Sequence, residues 1–376
     1  MKIGIMLRHI EQQGGIGTYT RNLLDHLLKI DEENDYLLMY RNPDLIGSYA
    51  DYPRVVEVAV PHKSKLLWDQ WAVPKLVKKH QLQLVFNPKL SVPIISRCKK
   101  IFCMHGGEWF VFPQNYSWAF RAYHKFFGAL YTNAADAIIA VSKSTGQDIA
   151  QALGRQGSKV HTIYHGVDSS FRLQQDSGRL EAVRKKFHLP ERYILWVGQI
   201  YPMKNFGRLI RAYRKVRDEL DYNLVLTGKP HLRYKDELAL IDSLHLKDDV
   251  QFLGWVPDED LPAIYRQASV FAFPSLYEGF GIPLIEALAC GCPVVTSDRG
   301  APAEVVGNAA VLVNPEDTDS IAQGICEALT NDALRKELID NGLKRVKTFT
   351  WEQCAKDTKS LFDEVMSSPV DGPYVL

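Results

Sequence analysis

Short apolar runs alternate along the whole chain with longer stretches whose apolar residues recur three and four positions apart. Runs at 2–7, 36–40, 55–60, 84–87, 100–103 and 137–141 are rich in Val, Ile, Leu, Phe and Tyr, and each predicts a strand. Helical spacing covers 19–28, 68–79, 118–133 and 143–153. The polar, unpatterned stretch 172–178 predicts a linker. The alternation restarts with a helix at 180–187 and strands at 193–197, 223–226, 250–252, 270–273, 293–296 and 310–313, and a last helix spans 352–366. Strands alternating with helices place crossover helices on both faces of a parallel sheet. The fold class expected is α/β, with two doubly wound parallel-sheet domains at 1–170 and 180–350, then a helix and tail at 351–376. Ligands of such sheets bind outside the carboxyl ends of the strands, so the site is expected there, in a cleft between the domains.

Composition changes this picture little. With 376 residues, 46% hydrophobic and 24% charged, both halves can form cores, and disordered or fibrous classes are excluded. The six cysteines show neither C-x-x-C nor His-Cys ligand spacing, and predict reduced, mostly buried thiols. The first apolar run breaks at Arg8, so no export signal is read, and no run has the length of a membrane span. A cytoplasmic protein is expected. Charge is uneven: 1–170 carries 20 Lys/Arg against 14 Asp/Glu, and the remainder 25 against 30. Aromatic and cationic residues alternate at 63–79 and 118–127, a pattern that suits either burial in the domain's own core or contact with the inner face of an anionic plasma membrane. Nucleic acid is not an expected partner, because the excess charge is small and no reading motif is present.

The chemistry concentrates in Pro274 to Val295, where Glu278 and Glu286 bracket Gly279-Phe280-Gly281. Pro283 stands where a first-turn proline opens a helix at 284–290, which places Glu286 in the first turn. Main-chain N–H groups of Phe280, Gly281 and Ile282 then form a cradle for phosphate or sugar oxygens, while one carboxylate accepts from sugar hydroxyls and the other from a ribose diol. The plainer alternative is a turn cap and a helix-dipole partner. Near the start, Gly14-Gly15-Ile16-Gly17 precedes a helix and offers amides to an anion, but Thr20 replaces the third glycine of a dinucleotide fingerprint. His105, beside Gly106 and Gly107, follows a predicted strand. Asp258-Glu259-Asp260 and Asp317-Thr318-Asp319 stand at helix starts and read as caps, so no metal site is expected.

In their order along nearly the whole chain, these motifs resemble retaining glycosyltransferase family 4, whose GT-B fold has two facing Rossmann-like domains. The resemblance also takes in Ala140-Val141-Ser142, His165-Gly166-Val167-Asp168, Val197-Gly198 with Lys204-Asn205, and Phe252-Leu253-Gly254-Trp255-Val256. It implies a nucleotide-sugar donor as substrate, no metal or other cofactor, and a glycan or lipid-linked acceptor. By the same resemblance His105, Lys204 and Glu278 are catalytic. Gly15, Gly17, Gly198, Lys204, Leu253, Gly254, Glu278, Phe280, Gly281, Ile282 and Glu286 bind the donor. Lys204 is the fixed cation for the departing diphosphate. The Arg that commonly accompanies it is lost, since Gln199 and Met203 stand in its places, and Arg8 and Arg299 are candidate replacements. An Asp that many relatives carry after the histidine is Gly106 here. Bacterial mannosyltransferases of polysaccharide or O-antigen synthesis, with GDP-mannose as donor, are the nearest resemblance, partly through Trp68-Asp69-Gln70 and Pro74. A nucleotide-sugar epimerase of similar shape and a two-domain solute-binding protein are the alternatives.

Overall fold

The computed structural model describes residues 1–153, 159–174, 176–228 and 234–368. It divides into two compact units, one of Met1–Gly166 with Trp351–Leu376 and one of Val167–Thr350. Residue 175 of the expected linker and residues 369–376 of the expected tail lie outside the described residues.

The first unit is built on a seven-stranded sheet in the order β3-β2-β1-β4-β5-β6-β7. Its strands are β1 Lys2–Met6, β2 Asp35–Tyr40, β3 Val55–Ala59, β4 Leu84–Asn87, β5 Lys99–Met104, β6 Ala137–Ala140 and β7 Val160–Thr162. All neighbours are parallel, with Ile3 opposite both Tyr36 and Leu84. Near-continuous apolar strands are what a sheet covered on both faces requires. One apolar cluster joins Met6, Leu37, Met39 and Val85 to Trp68, Val73 and Val77. A second joins Phe102, Met104 and Ile138 to Tyr131 and Ile149. Each such side chain, fully buried, contributes on the order of 1.5–3 kcal/mol.

Two elements depart from the apolar pattern. Strand β5 begins at Lys99 and buries both lysines: Lys99 pairs with Asp136 at 3.2 Å, and Lys100 donates from Nζ to the Cys98 carbonyl at 3.0 Å. The helix expected at 68–79 instead runs from Lys65 to His80 and contains a π turn, Trp68–Ala72. Pro74, which has no N–H to continue the α-helical ladder, accounts for that widened turn. The final helix, Trp351–Ser367, packs on helix Gly15–Ile30, with Phe362 against Phe86 at 5.4 Å.

The second unit repeats the plan with six parallel strands in the order β10-β9-β8-β11-β12-β13. These are β8 Tyr193–Val197, β9 Asn223–Thr227, β10 Val250–Gly254, β11 Val270–Phe273, β12 Val294–Ser297 and β13 Ala310–Val313. In each sheet the strand order reverses once at the centre, between β1 and β4 and between β8 and β11. The crevice outside the carboxyl ends of those strands is where doubly wound sheets bind ligands.

Candidate active site

In the second unit the loops after β8 and β11 meet at the reversal point. After Val197 the chain reaches a 3-10 turn, Pro202–Lys204, closed by Asn205 in the left-handed region (φ 58°), a conformation that asparagine tolerates. The Asn205 amide donates to the carbonyls of Pro274 (2.9 Å) and Pro315 (2.6 Å), and Leu276 N–H donates to the Met203 carbonyl at 2.8 Å. So clasped, Lys204 Nζ donates to both Glu278 oxygens, at 2.7 and 2.9 Å, with the Phe273 ring centroid 4.7 Å away. Two candidates 74 positions apart in sequence thus form one bidentate ion pair, 21% and 11% exposed.

The ends of β8, β9 and β10 are stitched together beside this pair. Gly198 N–H donates to the Thr227 carbonyl at 2.9 Å, and Gly228 N–H to the Gly254 carbonyl at 2.8 Å. Gly228 is obligatory: its φ is 131°, and a Cβ there would lie 1.9 Å from the Gly198 carbonyl oxygen. Leu253 and Gly254 therefore end β10 two strands away from Lys204, followed by Trp255, which is 46% exposed.

Glu286 departs from expectation. The helix spans Ile282–Ala289, so Glu286 is its fifth residue, beyond the first turn. Gly281 at φ 96° serves as the N-cap and lets the helix begin two residues earlier than the proline alone suggested. Half-buried Glu286 accepts from Tyr265 Oη at 3.0 Å. Burial pushes its pKa up to about 7; the Tyr265 hydroxyl opposes this, and Asp258 and Asp168 add to it. The Phe280 ring is buried edge-on against Phe349 at 5.5 Å, which leaves only its main chain for a ligand.

Neither candidate for the missing cation is at liberty. Arg299 binds Asp298 (2.9 Å), Glu316 (3.1 Å) and Asn314 (2.7 Å) within the second unit. Arg8, in the first unit, has an enclosed side chain, pairs with Asp69 at 3.3 Å and donates to Ser91 Oγ at 3.0 Å. Met203 is buried. Motif reading passed over Arg208, whose Nη1 donates to Asn205 Oδ1 at 3.0 Å and which lines a cavity of about 480 Å³ with Tyr201, Arg211 and Leu276. Only its position at the start of helix Phe206–Glu219, next to the Lys204-Asn205 motif, could have signalled it. Of the two acidic strings, Asp317 caps its helix by accepting from Asp319 N–H at 2.9 Å. Asp260 makes no such cap; its buried carboxylate is held by Arg179 (2.5 Å) and Lys186 (2.6 Å). No group of three or more metal-ligating side chains occurs among the described residues.

In the first unit His105 follows β5, and its Nε2 donates to the Pro88 carbonyl at 2.7 Å, the tautomer inferred from that acceptor. Burial lowers its pKa to about 4, against the Pro88 hydrogen bond, so the ring is neutral and Nδ1 is an acceptor. The ring stands edge-on to Tyr19 at 4.8 Å, and Tyr19 also lies 4.8 Å from His165. Gly15 and Gly17 open helix Gly15–Ile30, and a Cβ on Gly17 would lie 1.7 Å from the Gln12 carbonyl oxygen. Thr20, in the place of the third fingerprint glycine, is buried and donates to the Ile16 carbonyl at 2.8 Å. Trp68-Asp69-Gln70 is an anchor: Trp68 Nε1 donates to the Val60 carbonyl, Asp69 holds Arg8, and Gln70 bonds the main chain of Val92 and Ile94.

Residues 13–171 match the family model described as Glycosyltransferase Family 4, and residues 180–345 match that described as Glycosyl transferases group 1. The chain belongs to these glycosyltransferases. Its similarity to the O-antigen chain mannosyltransferase B of Escherichia coli is 32% identity over 231 residues, 60% of each protein. Similarity to the serotype-specific mannosyltransferase WbdA of the same organism is 33% over 226 residues, 59% of this chain and 28% of that protein. The match thus spans less than two thirds of either relative's length. Among solved structures, sucrose-phosphate synthase of Thermosynechococcus elongatus superposes with a TM-score of 0.80 at 21% identity, covering 98% of this chain and all of that one. The fold class is that of GT-B glycosyltransferases, two Rossmann-like α/β domains. No described helix is long and apolar enough to cross a membrane.

Proposed function

We propose that this protein transfers a hexose from a nucleotide-sugar donor to a hydroxyl of a glycan or lipid-linked acceptor, with retention of anomeric configuration and without a metal. The observation that carries the reading is the Lys204–Glu278 pair at the carboxyl edge of β8 and β11, with Glu286 on the following helix. A donor diphosphate competes with Glu278 for Lys204. Once the cation turns to the β-phosphate, Glu278 is released to accept from the sugar hydroxyls, and Glu286, ionised, accepts from the ribose diol.

As the C1–O bond to the β-phosphate breaks, negative charge gathers on the leaving oxygen, where a preorganised cation stabilises it. The acceptor oxygen bonds to C1 on the same face, and its proton passes to the departing phosphate oxygen. Neutral His105, with Nδ1 as acceptor, suits a sugar hydroxyl. GDP-mannose is the first donor to try, because both of the Escherichia coli relatives reported above bear mannosyltransferase names.

The test is to incubate the protein with GDP-, UDP-, ADP- and dTDP-sugars, with and without chelator, and to follow nucleoside diphosphate release and the anomer of any product. Chelator-insensitive release from one donor is the expected result. Release abolished by chelator overturns the metal-free mechanism, and release from none overturns the activity.

A further inference from the structure

Four adjacent strands of the first sheet, β3, β2, β1 and β4, each deliver cationic residues at their carboxyl ends. Lys63 and Lys65 follow β3, Arg41 follows β2, Arg8 follows β1 and Lys89 follows β4. Arg8, Arg41, His62 and Lys63, with Glu11 and Asn42, line a cleft of about 630 Å³. Within it the charges are poorly compensated. The Arg8 side chain is enclosed and satisfied in part by Asp69 and Ser91, while its Nη1 has no hydrogen-bond partner among the described residues. Arg41 is anchored on main-chain carbonyls, Nε donating to His62 at 3.0 Å and Nη2 to His62 and to Lys63, so its charge meets no carboxylate. Lys89 Nζ donates to Gln12 Oε1 at 3.3 Å, that ammonium's only hydrogen bond among the described residues. Among the described residues none of Arg41, Lys63, Lys65 and Lys89 forms an ion pair.

The crowding has electrostatic consequences. Burial first and Arg8 second lower Lys89; the same causes in the same order lower Lys65, which is exposed overall, to about 8. Burial, then Arg8, Lys89 and Lys65, hold His9 neutral, with a pKa of about 2. The opposing carboxylates are Asp69, already paired; Glu11, which accepts from Asn42 at 3.0 Å; and Glu108, which favours the charged form of Lys89. Cations gathered without counter-ions in a concave site repel one another and favour a multiply charged anion. Helix Gly15–Ile30 begins beside the same loop, since Gly17 lies against the Gln12 carbonyl, and its N-terminal dipole adds to the field.

We propose that this edge of the first sheet is an anion site for a phosphate or diphosphate group carried by the sugar acceptor. Its assignment to the acceptor rests on the transferase reading above, in which the donor diphosphate belongs to the edge of the second sheet. The cleft exceeds the volume of a single phosphate, and the cations arrive from several strands, which suits a group with more than one charged oxygen face.

The test is calorimetric titration of inorganic pyrophosphate into the full chain, saturated beforehand with whichever nucleoside diphosphate it releases, or without nucleotide if it releases none. Binding is expected, weakened on the order of tenfold or more in Arg41→Gln combined with Lys63→Gln, since charge-assisted phosphate contacts are lost. Absence of binding, or an unchanged Kd in that variant, overturns the site. Because Arg41 also braces the 62–63 main chain, Lys63→Glu, at an exposed position, is the second variant and must weaken binding with an unaltered circular dichroism spectrum.

Retention by phosphatidylcholine vesicles bearing a prenyl diphosphate, but not by plain vesicles, identifies a lipid-borne acceptor. Binding of a soluble sugar 1-phosphate with no such retention identifies a free one, and the absence of both results overturns the acceptor assignment. The two readings fail separately: nucleotide release without pyrophosphate binding removes the anion site alone, and pyrophosphate binding without release from any donor removes the transferase reading and leaves the anion site.

Discussion

The two sheets share a strand order at their centres but present different ion pairs at equivalent edges. After β1, Arg8 and Asp69 are enclosed, at 0% and 1% exposure, and braced by Ser91 and Asn87. After β8 and β11, Lys204 and Glu278 touch solvent, and among the described residues each is the other's only ion-pair partner. Burial pulls Arg8 down and pushes Asp69 up despite their attraction, so the first pair is there at an electrostatic cost. A topology sets where a ligand can approach, and depth then decides whether a pair braces the edge or can be exchanged for a substrate.

That contrast is easiest to break at Asp69. Asp69→Ala leaves Arg8 enclosed and without its carboxylate, and is expected to cost about 3–5 kcal/mol in chemical denaturation; a loss below about 1 kcal/mol means the edge relaxes and the brace is not needed. Lys204→Ala should do the reverse, lowering kcat on the order of 10²–10³-fold, equivalent to about 2.7–4 kcal/mol, with the melting temperature nearly unchanged. Near-normal turnover there removes the donor-site assignment.

Glu286 gives a finer discrimination through pH. Its folded pKa of about 7 lies above the ordinary 4.5, so the native state holds the proton that the unfolded chain has lost between those values. Stability from this group therefore falls as pH rises from 4.5 to about 7, then levels. Donor binding that needs the carboxylate runs the other way, tightening up to about pH 7 and weakening about tenfold per unit below it. Donor affinity measured across that range should lose the break in Glu286→Gln; a break that persists belongs to another group. The smallest effect is expected at Arg299, whose exposed pairs are screened: Arg299→Ala should change stability by at most about 1 kcal/mol. A large loss of turnover in that variant would reinstate it as the replacement cation.

Much of the plan was legible before any coordinates. Apolar runs located every described strand but one to within a residue or two, missing only the short, partly exposed β7, because strands buried on both faces tolerate little but apolar residues. Lys99 and Lys100 were the exception, since a carboxylate from the neighbouring strand's approach, Asp136, and the Cys98 carbonyl make their burial possible. The aromatic face of helix Trp118–Ala134 was also undecided. Trp118, at 80% exposure, and Phe126 remain on the surface, so the burial alternative does not hold for them.

The sequence by itself determined the two doubly wound domains, the glycine turns and the identity of the residues that carry charge to the strand ends, because these follow from local periodicity and from backbone conformations open to few residues. Tertiary structure alone decided which charges meet. Lys204 joins Glu278 across 74 positions, Arg8 is spent on Asp69, Arg299 on Asp298 and Glu316, and four cations of the first sheet, Arg41, Lys63, Lys65 and Lys89, gather with no ion pair among the described residues. Coulomb interactions depend on distance and burial in space, and neither quantity is written in the spacing of residues along a chain.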